Sequence, residues 1–129
     1  MKPLLSFVAI ASLYAQQGLP PLIDRELLFG DPEISSSGIS PDGQYLAFLK
    51  PWKSTRNIWV KKTSEPFTSA RLLTTETKRP IPGFLWTRDS KAIVFVKDTG
   101  GDENFNVYAT DPTLAADPAT GVPPTLKSR

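Results

Sequence analysis

The sequence predicts an all-β protein built from about two four-stranded antiparallel sheets, preceded by a short helix. Its strongest signal is a repeat, in which residues 38–48 (GISPDGQYLAF) match residues 85–95 (LWTRDSKAIVF). A second match joins residues 57–60 to residues 106–109. Thirteen prolines and eight glycines also favour a turn-rich β protein over a helical bundle. A repeat of roughly forty to fifty residues that holds several short strands is typical of β-propeller blades, here an incomplete propeller.

Four strands are expected in each repeat unit, because short apolar or alternating runs are separated by turn residues. In the first unit, Asp42 lies in a turn with proline and glycine, and strands are predicted at residues 36–40, 44–49, 56–62 and 70–74, with a loop at 51–55. In the second unit, Asp89 takes the equivalent position, and strands are predicted at residues 83–87, 91–97 and 105–110, with a polar loop at 98–104. Residues 125–127 are either the fourth strand of this unit or a frayed end.

The chain divides into four segments by sequence. The predicted segments are a signal peptide at residues 1–15, an entry segment with a short helix at 16–35, a blade at 36–78, and a second, partial blade with a loop-rich end at 79–129. The helix is expected within residues 22–29, since prolines precede this amphipathic stretch and a glycine follows it.

The start of the chain resembles a secretory signal. Lys2 precedes an apolar run at residues 4–13, and Ala15 offers a small residue ahead of two polar glutamines. The run is too short to cross a bilayer as a helix. We therefore expect export to the periplasm or the extracellular space, with a buried N-terminal strand or helix as the alternative.

Two missing residue types exclude several chemistries. Without histidine, the chain cannot supply a Ser-His-Asp triad or an imidazole metal site, and without cysteine it has no thiol nucleophile, thiolate zinc site or disulfide. The net charge of +2 is small, and adjacent basic residues occur only at 61–62 and 78–79. A solvated strand face explains these pairs better than a nucleic-acid footprint does.

The loop at residues 98–104 is the one candidate for a metal or catalytic site, because it holds three carboxylates and an amide. A calcium site is conceivable, although the spacing differs from that of an EF-hand, and a glycosidase pair is a further alternative. The structural alternative is preferred, in which Gly100 and Gly101 supply unusual backbone angles and Asp102 or Asn104 bonds loop amides. We predict no catalytic, cofactor-binding or metal-binding residue in this chain.

Tryptophans and serines offer weaker candidates. A ligand-stacking platform could use the three tryptophans, but Trp59 and Trp86 fall on predicted strands where packing accounts for them. Trp52 falls in a predicted loop and is the better candidate for contact with another domain. A nucleophilic serine has no base in the chain to activate it, and turn or strand roles are expected for Ser36, Ser37 and Ser40.

Sheet packing leads to an expectation about exposure. Two stacked sheets cover one shared face and leave their two outer faces in water, and we expect Phe48, Ile93 and Phe95 on those outer faces. Repeat architectures generally need three or more units for stability. The chain is therefore expected to be a fragment that associates or aggregates when expressed alone.

Several segments together resemble one enzyme family. These are the entry segment LIDRELLFGDP, the turn ISPDG followed by YLAF, the strand RNIWV, the segment FLWTRDSK and the loop DTGGDENF. Over about residues 20 to 112, they resemble exported serine peptidases of the prolyl oligopeptidase family, in the branch of dipeptidyl and acylaminoacyl peptidases. The resemblance implies a propeller stacked on an α/β-hydrolase domain, whose Ser-Asp-His site uses a Gly-x-Ser-x-Gly elbow. That elbow does not occur in this sequence, and no catalytic residue can be carried over.

Two functions follow as hypotheses. The first is a non-catalytic propeller portion of such a peptidase, which gates peptide access to a hydrolase domain absent from this chain and needs no cofactor. The second is part of a TolB-like periplasmic propeller that binds proteins, because the Ser-Pro-Asp-Gly turn is shared with that group.

Overall fold

The computed structural model describes residues 21–128. Its contacts divide the chain into two units, Met1–Asp31 and Pro32–Arg129. The predicted signal peptide at residues 1–15 lies outside the described residues. Within residues 21–128, no helix is long and apolar enough to span a bilayer.

The described part of the first unit contains one helix, α1 (Arg25–Phe29). It is shorter than predicted because Asp24 is the N-cap, with its carboxylate accepting a hydrogen bond from the backbone N–H of Glu26 at 2.9 Å. At the other end, the N–H of Gly30 bonds the carbonyl of Glu26 at 2.7 Å.

The second unit consists of two four-stranded antiparallel sheets. The first sheet contains, in spatial and chain order, β1 (Ser35–Ile39), β2 (Tyr45–Trp52), β3 (Thr55–Lys62) and β4 (Arg71–Leu72). The second sheet contains, in the same way, β5 (Phe84–Trp86), β6 (Ile93–Lys97), β7 (Asn106–Thr110) and β8 (Thr125–Lys127). A short 3-10 helix, Phe67–Ser69, lies between β3 and β4. The predicted all-β fold class is confirmed, and the arrangement is consistent with two propeller blades.

The connection between β2 and β3 differs from the prediction. Instead of a loop at 51–55, the two strands stay paired as far as Trp52 opposite Thr55. Only Lys53 and Ser54 form the turn, with φ values of 48° and 64°. Positive φ at both central residues is the type I′ geometry that suits the twist of a hairpin. Its usual sequence signal, asparagine or glycine, is missing here, so the turn could not be recognised.

The repeated aspartates build the same turn twice. The carboxylate of Asp42 accepts hydrogen bonds from the Ser40 hydroxyl at 2.5 Å and from the N–H of Gln44 at 3.0 Å. In the second sheet, Asp89 accepts the corresponding bonds at 2.6 and 3.1 Å, from the Thr87 hydroxyl and the Lys91 N–H. These bonds lower the pKa of both aspartates, with the hydroxyl donor as the largest cause in each case. The sequence repeat is therefore also a repeat of hydrogen bonds.

The two turns also contact each other. Ser90, with φ of 62°, occupies the left-handed position that Gly43 holds in the first turn with φ of 73°. Its hydroxyl oxygen accepts a hydrogen bond from the backbone N–H of Asp42 at 3.0 Å. The second turn thus ties its own sheet to the first.

The core lies between the two sheets. Its buried cluster draws on both sheets and on the connection between them, and consists of Ala47, Leu49, Ile58, Val60, Leu73, Ile81, Ile93 and Phe95. Half-buried aromatic residues, Phe84 and Trp86 among them, pack against this cluster. The two sheets approach closely at Gly38, where an added Cβ atom would lie 3.6 Å from the Phe84 ring. The indole N–H of Trp86 donates to the carbonyl of Gly38 at 3.0 Å.

The expectation that Phe48, Ile93 and Phe95 face water is wrong. Their exposed fractions are 1%, 0% and 3%. Ile93 and Phe95 belong to the core cluster between the sheets. Phe48 lies on the other face of the first sheet, where the ring of Phe67 covers it with a centroid distance of 5.4 Å. The 3-10 helix after β3 therefore closes this part of the outer face.

Candidate functional site

The topology gathers three connections at one end of the sheets. Neighbouring strands are antiparallel, so alternate connections lie at the same end. One end, which we call the hairpin end, holds the turn between β2 and β3, the β4–β5 connection and the loop between β6 and β7. The two aspartate turns lie at the opposite end. The candidate site is at the hairpin end, where the β4–β5 connection contacts the loop at residues 98–105.

Two ion pairs hold this connection to the second sheet. The Nζ of Lys97 lies 2.5 Å from Oε1 of Glu76, with both side chains about three-quarters buried. The Nε of Arg79 lies 3.7 Å from Oδ2 of Asp98. The Asp98 side chain is only 4% exposed, whereas that of Arg79 is 53% exposed. A buried carboxylate therefore faces a guanidinium that also reaches solvent.

The loop that begins at Asp98 is organised by its own aspartate, as preferred from the sequence. Oδ1 of Asp102 accepts hydrogen bonds from the N–H groups of Thr99 at 3.0 Å and Asn104 at 3.1 Å. These two donors, the first above all, hold the pKa of Asp102 below its usual value. Gly100 and Gly101 have φ values of 68° and 101°, which glycine adopts without strain.

The loop carboxylates do not converge on a common point. Asp98 pairs with Arg79, while Asp102 bonds amides of its own loop. Among residues 21–128, no group of three or more acidic side chains is placed to hold a metal ion. The arrangement thus gives no support to the calcium or glycosidase alternatives.

A cavity of about 210 Å³ lies beside the second ion pair. It is lined by charged, proline and aromatic side chains, namely Arg79, Pro80, Pro82, Lys97, Asp98 and Phe105. Sequence reasoning had singled out the loop carboxylates and missed Arg79 and Phe105. No local pattern could have revealed Arg79, because its partner lies on a different connection.

A second cavity, of about 330 Å³, includes Glu76, Lys97 and Asp117 in its lining. Its charged groups are engaged within the protein. Glu76 pairs with Lys97, and Asp117 accepts a hydrogen bond from the N–H of Ala119 at 2.8 Å. This cavity therefore has less capacity for a charged ligand than the one beside Arg79.

The three tryptophans do not form a platform, because each is engaged separately. Trp52 lies on β2 and not in a loop, and the Nζ of Lys53 is 4.5 Å from its ring centroid. The indole N–H of Trp59 donates to the carbonyl of Lys50 at 3.0 Å. Trp86 packs against the core cluster, so the packing role expected for it holds.

The serines lie in β1 and in the turn that follows it. Ser36, with φ of 46°, falls within the register shift of β1, and Ser37 is exposed. Ser40 is buried, and its hydroxyl bonds Asp42 and accepts from the N–H of Tyr45. These are the strand and turn roles expected from the sequence.

Comparison with known proteins adds a family relationship, although no protein-family model matches the chain. Dipeptidyl aminopeptidase BIII of Pseudoxanthomonas mexicana is 38% identical over 90 residues, which are 70% of this chain and 13% of that protein. Dipeptidyl peptidase family member 6 of Caenorhabditis elegans is 36% identical over 88 residues, which are 67% of this chain and 12% of that protein. The chain thus spans about an eighth of the length of these curated relatives. Over about 70% of its length, the chain is related to the dipeptidyl peptidases.

Proposed function

We propose that residues 32–128 supply two blades of the β-propeller of a dipeptidyl-peptidase-like protein of the prolyl oligopeptidase family. In this proposal the chain contributes no catalytic group and gates the access of peptides to a hydrolase domain outside this sequence. The relationship to proteins named dipeptidyl peptidases and the two equal sheets support it.

One observation carries the propeller assignment, and it concerns which faces are covered. In the first sheet, the face that packs on the second sheet presents Ala47, Leu49, Ile58 and Val60, all at most 2% exposed. In the sequence repeat, these residues align with Val94, Val96, Val107 and Ala109 of the second sheet. That equivalent face is open, with Val96 38% and Val107 43% exposed.

This equivalence means that each sheet would use one face to cover the sheet before it and the opposite face to receive the sheet after it. The second sheet covers the first with the aromatic and aliphatic residues on the other side of its strands, such as Phe95 and Trp86. A further sheet of the same kind could cover the open face of the second sheet in the same way. Repeating that step produces the radial stack of sheets that defines a propeller.

The proposed gating role is compatible with the chemistry that the sequence lacks. A serine peptidase triad needs a histidine, and the chain contains none. A chain of this kind can bind, orient or exclude a peptide but cannot perform that cleavage by itself. The proposed partners are therefore the hydrolase domain and its peptide substrates, and the proposed location is the periplasm or the extracellular space, given the signal-like start.

A chimera tests this proposal. Residues 32–128 would replace the matching segment of Dipeptidyl aminopeptidase BIII, and cleavage of a dipeptidyl chromogenic substrate would be measured. We expect the purified chimera to retain cleavage, whereas this chain alone should show none.

The matched control carries the equivalent segment of the C. elegans relative. That relative is 36% identical to this chain, close to the 38% of Dipeptidyl aminopeptidase BIII. An active control together with a folded but inactive chimera would contradict the proposal and favour a binding module of another kind. Turnover by this chain alone would contradict its non-catalytic role.

A further inference from the structure

We propose that the cavity beside Arg79 binds the C-terminal end of a peptide. In this site the guanidinium of Arg79 binds the α-carboxylate, and the ring of Phe105 contacts an apolar last side chain. The proposal rests on the proposed function only for its choice of peptides as the ligand class. The binding groups themselves come from the geometry at the hairpin end.

Arg79 has free hydrogen-bonding capacity. The distance of 3.7 Å from its Nε to Asp98 is an ion pair and is too long for a hydrogen bond. Within residues 21–128, Arg79 makes no hydrogen bond, and about half of its side chain is exposed. A guanidinium has five N–H donors in a planar fork that matches the two oxygens of a carboxylate. Arg79 can therefore donate hydrogen bonds to a second carboxylate on the solvent side.

Asp98 keeps the guanidinium in place. Its carboxylate is almost completely buried, and an ionised carboxylate without water needs a charged or hydrogen-bonding partner. Arg79 is its ion-pair partner, so moving the guanidinium away would leave a buried charge uncompensated. In this arrangement Asp98 is a positioning residue, and Arg79 is the residue that contacts the ligand.

Gly101 leaves room beside the guanidinium. A Cβ atom added at this position would lie 3.4 Å from Nε and 3.5 Å from Nη2 of Arg79. Any larger side chain would cover this part of the guanidinium. The missing side chain of Gly101 thus leaves the guanidinium accessible, and the positive φ of this residue is one that glycine adopts without strain.

The rest of the lining favours an apolar residue next to the carboxylate. Phe105 is 65% exposed, so its ring is accessible to a ligand, and Pro80 and Pro82 complete the apolar wall. A volume of about 210 Å³ equals roughly seven water molecules at ~30 Å³ each. It therefore suits one terminal residue and not an extended peptide.

Charge selects a single carboxylate over a more highly charged anion. Of the two cationic residues in the lining, Lys97 is already paired with Glu76. Arg79 alone remains available, and its own partner Asp98 lies in the same lining. A single guanidinium beside apolar side chains matches a monoanion that carries an apolar group. A phosphate group would need additional cations.

The test measures peptide binding to the full chain by calorimetry. The probes are acetyl-Gly-Gly-Phe as the free acid and the same peptide as its C-terminal amide. We expect the free acid to bind at least tenfold more tightly than the amide. Arg79→Lys should weaken binding of the acid at least tenfold, because it keeps the charge beside Asp98 but removes the fork. Phe105→Ala should weaken it severalfold.

Arg71→Lys is the matched control, since Arg71 is an exposed arginine on β4 that does not line this cavity, and it should bind like the wild type. Circular dichroism of each variant confirms folding.

A third probe, acetyl-Gly-Asp-Phe amide, offers a side-chain carboxylate in place of the terminal one. Equal binding of this probe, equal binding of acid and amide, no binding of the acid, or an unchanged affinity in Arg79→Lys would each overturn the proposal. None of these results affects the chimera experiment, so the two proposals fail separately.

Discussion

At the scale of single residues, Asn57 shows how one side chain can organise the connection between the sheets. It is fully buried, and its amide nitrogen donates to the carbonyls of Thr55 and Glu76, each at 2.9 Å. Its amide oxygen accepts from the Thr74 hydroxyl at 2.9 Å and from the N–H of Glu76 at 2.7 Å. Three of these bonds hold β3 to the start of the β4–β5 connection, and the bond to Thr55 lies within β3.

The repeat equivalent of Asn57 has a much smaller role. Asn106 donates one side-chain hydrogen bond, to the carbonyl of Asn104 at 2.9 Å. The sequence match between the two asparagines is real, but only one of them is buried in a network. Sequence comparison within the chain could not distinguish them, because the groups that make the other three hydrogen bonds of Asn57 lie 17 to 19 positions away in a connection without regular structure.

We expect Asn57→Ala to lower the free energy of unfolding by about 2–4 kcal/mol, because several buried polar groups of the connection lose their partner. Chemical denaturation of wild type and variant measures this difference. Asn106→Ala is the control and should cost about 1 kcal/mol or less. Equal losses in both variants would show that the network around Asn57 contributes nothing of its own.

At the scale of elements, the hairpin between β2 and β3 forms although its turn residues are unfavourable. Lys53 and Ser54 both adopt left-handed backbone angles, which cost non-glycine residues roughly 1–2 kcal/mol each. Eight paired positions from Tyr45 opposite Lys62 to Trp52 opposite Thr55 fix the register of the two strands. The strands therefore determine this turn, whereas the two aspartate turns are stabilised by hydrogen bonds to their own side chains.

Replacing the pair by the preferred residues should stabilise the protein. Lys53→Asn combined with Ser54→Gly relieves the strain at both positions, partly offset by the loss of the Lys53–Trp52 contact and by the greater backbone freedom of glycine in the unfolded chain. We expect a gain of about 0.5–1 kcal/mol, measured by chemical denaturation. Ser64→Gly, at an exposed position where φ is not positive, is the control and should give no gain. A loss of stability in the double variant would argue against the type I′ geometry.

At the scale of the whole described structure, the two outer faces are not equivalent. Phe67 covers Phe48 on the outer face of the first sheet, and the Nζ of Lys61 lies 5.2 Å from the Phe67 ring centroid. The outer face of the second sheet has no such cover, and Leu85 and Leu126 are both 74% exposed there. That open face presents apolar side chains without a charged residue. Self-association of the chain should therefore use the second sheet.

We expect the chain to associate in a concentration-dependent way through this face, as sedimentation velocity would measure. The variant Leu85→Lys with Leu126→Lys should shift the distribution towards monomer, because two charges on the face would have to be buried in the contact. Leu114→Lys is the control, since this exposed leucine lies in a loop outside the sheet. A monomeric wild type at all concentrations, or the same shift in the control, would contradict the assignment.

The sequence by itself determined the repeat, the order of the first seven strands and the positions of both aspartate turns, and it left residues 125–127 open between a strand and a frayed end. These features are local, because strand alternation and turn residues depend on neighbours in the chain. It also determined that no histidine or cysteine chemistry is available. These local signals sufficed for the fold class.

Only the tertiary structure decided which faces are covered and where the candidate site lies. In β6 the run Ile93–Lys97 is apolar on both sides of the strand, so its pattern could not tell that Ile93 and Phe95 are buried while Val96 is exposed. The pairing of Arg79 with Asp98 likewise joins two connections that only the stacking of the sheets brings together. Contacts between distant segments depend on packing, and neither periodicity nor local turn chemistry encodes them.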